Sequence, residues 1–259
     1  MKFFKKLFSI IFVLPFVFSV NAFSDDHAGG LKPSSLTGEF YFFSVTDPVK
    51  FVAALDKFDS SACAEKWRKE SGVNVGLYSL AGSKHSHMIL VTYDGYDNNE
   101  KGRIIFGSCP ESAEMIKSFS ATSDTSKNYN YSTQLVLEAG DWTTDTVFTN
   151  IEIQVESGKE ETFLKSWKKL MASQDFPGSY GINRLVFGNK YYSHMIFAGS
   201  KSMKDLVESS YDLYASDAYK EYLTEVSEIR GKFYTKLVQF VKAYPCLLYT
   251  SPSPRDSSK

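Results

Sequence analysis

The chain has 259 residues and a formal net charge of −1, with 29 Lys and Arg against 30 Asp and Glu. Phosphate binding requires a concentrated basic face, and no such face is visible, so nucleic acid is excluded as a predicted partner. Aromatic residues make up 15% of the chain, and most of them are expected in a large buried core.

The first residues indicate an export signal. Three lysines precede the apolar run LFSIIFVLPFVFSV, which ends in the small-residue site VNA. The alternative is a membrane anchor, but this apolar run is short and Pro15 interrupts it. We therefore expect residues 1–22 to be a signal peptide cleaved after Ala22. The mature protein is then periplasmic or secreted and has no membrane association.

A repeated segment predicts a duplicated architecture. KHSHMIL, which contains His87, recurs as YYSHMIF, which contains His194, and the pattern T-x-L-V follows each copy. The distance between the two patterns is similar in both copies. Self-similarity of this kind is typical of repeats, and it predicts two homologous units at residues 37–142 and 145–245.

Each unit has the same predicted order of elements, which is clearest in the second. VFTNIEIQV alternates like a strand, and KEETFLKSWKKLM places Phe163, Trp167 and Leu170 on one helical face. SYGINRLVF and YYSHMIF flank Gly188 and Asn189, which are typical of a hairpin turn. A helical region and the strand YTKLVQFVK follow. The order β-α-β-β-α-β predicts a ferredoxin-like α+β unit with both helices on one face of the sheet.

A single unit of this kind leaves the other face of its sheet uncovered. Soluble proteins rarely expose large apolar faces, and two units in one chain can cover each other. We therefore expect the two repeats to pair with each other, sheet against sheet.

The segment TNIEIQVESGKEETFLKSW, followed by YASDAYKEYL, resembles the antibiotic-biosynthesis-monooxygenase branch of the dimeric α+β barrel superfamily. The resemblance covers most of the second repeat, and it covers the first through their mutual similarity. It implies that two tandem ferredoxin-like repeats form an intramolecular dimeric α+β barrel. The superfamily includes cofactor-independent oxygenases, haem-degrading oxygenases and many proteins without an assigned activity.

The resemblance also implies a set of pocket residues. In the haem-degrading members an asparagine on the first strand, an aromatic residue on the second helix and a histidine further along that helix line the pocket. Asn150 matches the first and Tyr222 the second, but no histidine lies between Tyr222 and Tyr234. Without that iron ligand, we predict neither haem nor another cofactor.

The two histidines of the repeated segment are candidate pocket residues. Residues two apart on a strand share a face, so His194 lies with Tyr192 and His87 with His85. In one interpretation, His87 and His194 line a pocket and exchange protons near neutral pH. The other, which we prefer, makes them hydrogen-bonded strand residues inherited from the ancestral unit. No carboxylate or cysteine stands at ligand spacing beside them, and we predict no metal site.

Other polar residues are also candidates for a pocket wall. Asn150, Glu152 and Gln154 share one face of their strand, which is either a polar pocket wall or a solvated face. Asn183 and Arg184 interrupt a strand that is otherwise rich in apolar residues. Arg184 would meet an anionic ligand or else form a salt bridge at the surface.

The cysteines give one structural prediction. Cys63 and Cys109 both lie in the first repeat, and an even pair in an exported protein favours a disulfide that braces this half. The third, Cys246, begins CLLYTSPSPRDSSK, which has no periodicity and resembles translated sequencing-adapter DNA. We interpret residues 246–259 as an assembly artefact and assign them no function.

The sequence contains no nucleophile elbow, Walker loop, dinucleotide fingerprint or zinc-helix motif, so no enzyme class that depends on these motifs is predicted. Two classes of function remain. The first is a non-catalytic binding or structural module that holds a small apolar or aromatic ligand. The second is a cofactor-independent monooxygenase that acts on an aromatic substrate and needs a polar group in a dry cavity. The export signal and the poor match to known pocket residues favour the first.

Overall fold

A computed structural model describes residues 32–189 and 191–244. The predicted signal peptide and the segment 246–259 lie outside the described residues. Within the described ranges, no helix has the length and apolar character needed to cross a membrane.

The first half of the molecule runs from Lys32 to Ala139. Its strands are β1 (Lys32–Pro33), β2 (Leu36–Phe43), β3 (Asn74–Ala81), β4 (His87–Asp94) and β5 (Tyr129–Ala139). Its helices are α1 (Pro48–Asp59), α2 (Ala62–Ser71), α3 (Gly95–Ser108) and α4 (Pro110–Thr122). Where the sequence predicts one helical segment, the structure has two. Ser61 caps α2 by accepting a hydrogen bond from the Ala64 amide, and Pro110 begins α4, so a new helix starts at each point.

The second half runs from Val147 to Tyr244. Its elements are β6 (Val147–Val155), α5 (Glu160–Ala172), β7 (Tyr180–Phe187), β8 (His194–Ser200), α6 (Met203–Ala215), α7 (Asp217–Val226) and β9 (Arg230–Tyr244). As predicted, α5 buries Phe163, Trp167 and Leu170. The second helical region is again divided, because the Ser216 side chain accepts a hydrogen bond from the Tyr219 amide and starts α7.

All the described strands belong to one sheet. Their order is β1-β5-β2-β4-β3-β9-β6-β8-β7, and β5 also pairs with β7. This additional pairing closes strands β2 to β9 into an eight-strand barrel, with β1 attached to β5 at its side. The first half contributes the run β5-β2-β4-β3 and the second half the run β9-β6-β8-β7. The molecule therefore has a mixed α+β fold with a closed barrel, as in a dimeric α+β barrel.

Strand alternation divides the core into three buried clusters. Inward side chains from both halves fill the barrel, including Phe40, Phe42, Tyr78, Met88, Tyr131, Phe148, Met195 and Val238. Outward side chains of the first half pack under α1 to α4, where Trp67 is buried. Those of the second half pack under α5 to α7, where Trp167 is buried. The helices therefore cover the outside of the barrel, and both halves contribute to its interior.

One ion pair lies inside the barrel. Lys236 Nζ is 2.5 Å from Glu152 Oε1, and both side chains are almost completely buried. The Lys236 ammonium also lies 4.3 Å from the centroid of the Phe42 ring. At Asn150 and Glu152 the polar face of β6 is thus an interior wall, whereas Gln154, near the end of the strand, is exposed to solvent. Breaking such a pair would leave one charge buried without a partner, which is strongly destabilising.

Candidate functional site

A pocket of about 310 Å³ lies between the helices and the outer face of the sheet in the first half, and we call it the helix-side pocket. Its apolar walls are Phe43, Leu55, Phe58, Trp67, Val75, Ile89, Val91, Phe106, Met115, Ile116 and Phe119. Its polar lining is Glu39, Tyr41, Tyr93 and Arg103. A mostly apolar pocket that includes aromatic side chains and a few placed polar groups is the usual form of a small-molecule site.

Strand β2 brings the central polar group to this pocket. Residues two apart share a face, so Glu39, Tyr41 and Phe43 face the helices while Phe40 and Phe42 fill the barrel. The sequence of this strand is LTGEFYFF, in which Glu39 is the single charged residue. Its carboxylate is buried under α3, with 6% of the residue exposed.

Three donors surround the Glu39 carboxylate. The Tyr41 hydroxyl donates to Oε2, and the Asn99 amide donates to Oε1 over 3.0 Å. Arg103 Nε lies 3.2 Å from the same Oε1. Asn99 and Arg103 are one helical turn apart on α3, so a single helix face supplies both. The buried negative charge is therefore both hydrogen-bonded and balanced by a cation.

Two tyrosines next to this carboxylate remain protonated. Burial raises the pKa of Tyr41, and the charge of Glu39 and its hydrogen bond raise it further. Burial and the Glu39 charge also raise the pKa of Tyr93, whose ring lies 6.4 Å from that of Trp67. Both phenols are therefore neutral at physiological pH, and the Tyr41 hydroxyl donates a hydrogen bond to Glu39.

A disulfide ties together the helices above the pocket. The predicted bond between Cys63 and Cys109 is present. Cys63 lies in the first turn of α2, and Cys109 joins α3 to α4. Since Trp67 from α2, Phe106 from α3 and Met115 from α4 all line the pocket, the bond connects three helices that form its roof.

The histidines of the repeated segment face the helices. His87 packs on Phe51 with ring centroids 5.9 Å apart, and His194 packs on Phe163 at 5.6 Å. Burial, together with the charge of nearby Arg184, lowers the pKa of His194 to about 4. Burial also lowers the pKa of His87. Both imidazoles are therefore neutral at pH 7 and serve as packing partners for the first helix of each half.

The second half carries no equivalent of the Glu39 carboxylate. Each repeated histidine pairs with the first long strand of its own half, opposite Phe43 in β2 and opposite Ile153 in β6. Glu39 lies four residues before Phe43, and Thr149 lies four residues before Ile153. Trp167 is buried under the helices of this half as Trp67 is in the first, so the difference between the halves lies in Glu39 against Thr149. The polar pocket is thus a feature of the first half.

The remaining sequence candidates lie apart from one another. Asn150 lines a cavity inside the barrel, whereas Tyr222 is buried among the helices of the second half. Arg184 is exposed on β7. Tyr192 is half-buried before β8, where its amide donates to Asn189 Oδ1 over 3.0 Å. Because the sheet separates Asn150 from Tyr222 and from both histidines, the six predicted residues do not form one pocket.

Sequence reasoning missed the residues of the helix-side pocket. One signal was present, since a lone carboxylate in an aromatic strand has to be either paired or functional. Period-two alternation then places Tyr41 beside Glu39. No comparable signal identified Asn99 and Arg103, which lie on a helix that is polar on most of its surface.

Comparison with known proteins identifies the fold. No family model matches the chain, and no curated protein matches it. The likeness to a putative monooxygenase from Lactobacillus acidophilus NCFM covers 82% of this chain and 97% of that protein, with 10% identity and a TM-score of 0.59. The likeness to a putative monooxygenase from Fusobacterium nucleatum covers 82% of this chain and 95% of that protein, with 11% identity and a TM-score of 0.59. The likeness to an anthrone oxidase-like protein covers 86% of this chain and 99% of that protein, with 11% identity and a TM-score of 0.58. At these identities the comparison establishes that the chain shares their α+β barrel fold.

Proposed function

We propose that this protein binds a small aromatic molecule in the helix-side pocket. The observation that carries the proposal is a pocket of about 310 Å³ with apolar walls, which include five aromatic side chains, and with one polar end. A cavity of about 150 Å³ accepts benzene, so twice that volume suits two or three fused rings. Phe106 packs on Phe58 and Trp67, with ring centroids 5.5 Å and 5.1 Å apart, so the three rings form one aromatic wall against which such a ligand can lie.

The polar end defines the other part of the ligand. Glu39 already accepts hydrogen bonds from Tyr41, Asn99 and Arg103, so its acceptor capacity is largely used. The Arg103 side chain is 60% exposed, and Nε is the atom that contacts Glu39. Its two terminal nitrogens are suited to a hydroxyl, phenolate or carboxylate. The proposed ligand is therefore an aromatic molecule with an oxygen substituent.

Calorimetric titration with 2-naphthol, a two-ring phenol, tests this proposal. Ile116 lines the pocket and is 50% exposed, so Ile116→Trp narrows the mouth with little effect on folding. Ile104 is 66% exposed, lies outside the pocket lining, and supplies the matched control Ile104→Trp. We expect the affinity to fall by about tenfold or more in Ile116→Trp and to stay within about twofold in the control. Equal affinity in both variants contradicts the proposal.

A second candidate function is cofactor-independent oxygenation of the bound molecule. The observation that favours it is Glu39, a buried carboxylate beside an apolar pocket, hydrogen-bonded to the Tyr41 phenol. Such a base would take a proton from an acidic C–H or O–H of the substrate, and the resulting anion would react with dioxygen. Structures of similar fold include two putative monooxygenases and an anthrone oxidase-like protein, and this likeness concerns the fold alone.

Dioxygen uptake with anthrone as the probe separates the two functions. Oxygenation converts anthrone and one dioxygen into anthraquinone and water, so uptake and quinone absorbance rise together. An oxygenase accelerates both above the spontaneous rate, and Glu39→Gln returns them to that rate while 2-naphthol still binds. A binding protein leaves the spontaneous rate unchanged in the wild type.

We also propose that the two halves are tandem copies of one ferredoxin-like unit and that the protein is exported. The matching strand orders and the matching registers of the two histidine segments support the duplication. The lysine-rich start, the apolar run after it and the Cys63–Cys109 bond support export. The intact mass of protein from the periplasm or medium tests export, and a reduced chain that retains residues 1–22 contradicts it.

A further inference from the structure

Helix α6 leaves an apolar stripe exposed to solvent. Its members, which we call the α6 stripe, are 41–70% exposed and recur at helical spacing: Met203, Val207, Tyr211 and Tyr214. Residues at this spacing share one helix face. No other helix in the described ranges exposes more than two large apolar side chains. Single exposed apolar residues are common, whereas a contiguous exposed apolar face indicates an interaction surface.

The stripe lies on the flank of α6. The side of the helix that faces the sheet carries Leu206, which is buried, and Ser210 and Leu213, which are half-buried. Val207 and Tyr211 each follow one of these inward residues directly in sequence, as Tyr214 does, and are therefore rotated from them by about 100° around the helix axis. This flank is the position at which a neighbouring helix would pack.

In the first half, the corresponding flank is covered by a helix. Counted from the residue that precedes each helix, Tyr214 of α6 corresponds to Phe106 of α3. Phe106 packs on Trp67 of α2, and α2 lies along α3. In the described part of the second half, residues 173–179 connect α5 to β7 without forming a helix, so α6 has no counterpart of α2 beside it. This correspondence assumes the duplication proposed above, whereas the exposure of the α6 stripe holds without it.

A row of charged residues borders the α6 stripe on its solvent side. Lys204, Glu208 and Asp212 follow one another at four-residue spacing, and all three are exposed. Lys204 forms an ion pair with Glu208 within one copy. If two α6 helices lie antiparallel, Lys204 of each copy also meets Asp212 of the other copy. Parallel helices would instead place like charges together, so the row favours the antiparallel direction.

We infer that a second copy of this chain covers the α6 stripe, with the two α6 helices antiparallel about a twofold axis. A twofold interface joins the same patch of both copies, so an exposed helical stripe is complementary to itself. Val207 and Tyr211 lie next to the axis in this arrangement, and tyrosine is among the residues that contribute most to interface affinity. The two helix dipoles also run in opposite directions, which is the favourable orientation for neighbouring helices.

Sedimentation velocity of the chain from residue 23 onward tests the inference. Cys246→Ser is present in every sample, so that this thiol cannot link two copies. One helix pair is a small interface, and we expect a dimer with a dissociation constant on the order of 10 µM. Tyr211→Glu raises this constant by about tenfold or more. The matched control Phe187→Glu replaces an aromatic residue of similar exposure, 68% against 70%, outside α6 and leaves the dimer intact.

Exchange of the two outer charges tests the antiparallel direction. Asp212→Lys alone weakens the dimer by about threefold, because each Lys204 then faces a like charge. Adding Lys204→Asp restores the affinity, since opposite charges face each other again. A wild type that stays monomeric at about 100 µM overturns the inference, as does a dimer that Tyr211→Glu leaves unchanged. A double exchange that binds no better than Asp212→Lys alone overturns the antiparallel arrangement.

Discussion

Replacing His194 with Gln tests whether the fold requires this buried histidine to be neutral, in which case stability falls when the histidine is protonated at low pH. Its pKa is about 4 in the folded protein, against an ordinary value of 6.5. Because folding lowers the pKa, the unfolded chain binds the proton more tightly, and stability is lost as the pH falls from 6.5 towards 4. With these two pKa values, the free energy of unfolding falls by about 2.5 kcal/mol between pH 7 and pH 4.5.

Urea unfolding of the wild type and His194→Gln at pH 7.0 and pH 4.5 measures this loss. Carboxylates titrate in both proteins, so their contributions cancel in the difference. We expect the wild type to lose about 2.5 kcal/mol more than the variant between the two pH values. His87→Gln is the matched control, and its smaller expected effect follows from the half-buried position of His87. Parallel pH dependence of the wild type and His194→Gln would refute the assigned burial.

Three further variants test the disulfide, the internal ion pair and the pocket mouth. Converting Cys63 and Cys109 to Ala lowers the free energy of unfolding by about 4 kcal/mol, since the bond spans 46 residues; a loss below about 1 kcal/mol in urea titrations contradicts this. Glu152→Gln strands the Lys236 charge and lowers stability by about 3–5 kcal/mol, whereas Glu152→Leu with Lys236→Met recovers most of it. If the double variant melts as early as the single one, the stranded charge is not the cause. Arg103→Gln weakens 2-naphthol binding by about fivefold or more, and it also lowers the melting temperature because the buried Glu39 carboxylate loses its cation; calorimetry that shows equal affinity in the folded variant removes Arg103 from the site.

The architecture was accessible from the sequence because it depends on local periodicity. Phe163, Trp167 and Leu170 recur at helical spacing and are buried by α5, and VFTNIEIQV alternates as β6 requires. The division of the second helical region at Ser216 was missed. That residue is a good N-cap, but an apolar stripe on both sides of it favours one continuous helix.

The site was much less accessible, because its parts are distant in the chain. Asn99 reaches Glu39 across 60 residues only once α3 has packed on β2. The repeated histidines drew attention because they are chemically versatile, yet they recur for a packing reason. Each one sits against a phenylalanine from the first helix of its half, His87 on Phe51 and His194 on Phe163.

A crystal of the protein soaked with 6-bromo-2-naphthol tests the central claim most directly, because bromine gives an anomalous signal that locates the ligand. We predict one strong bromine peak in the helix-side pocket, beside the wall that Phe58, Trp67 and Phe106 form, with the naphthol oxygen at Arg103. That peak should disappear in Ile116→Trp. A peak in the barrel interior or on the outer surface, with none beside these three rings, would contradict the proposal that the pocket is the binding site.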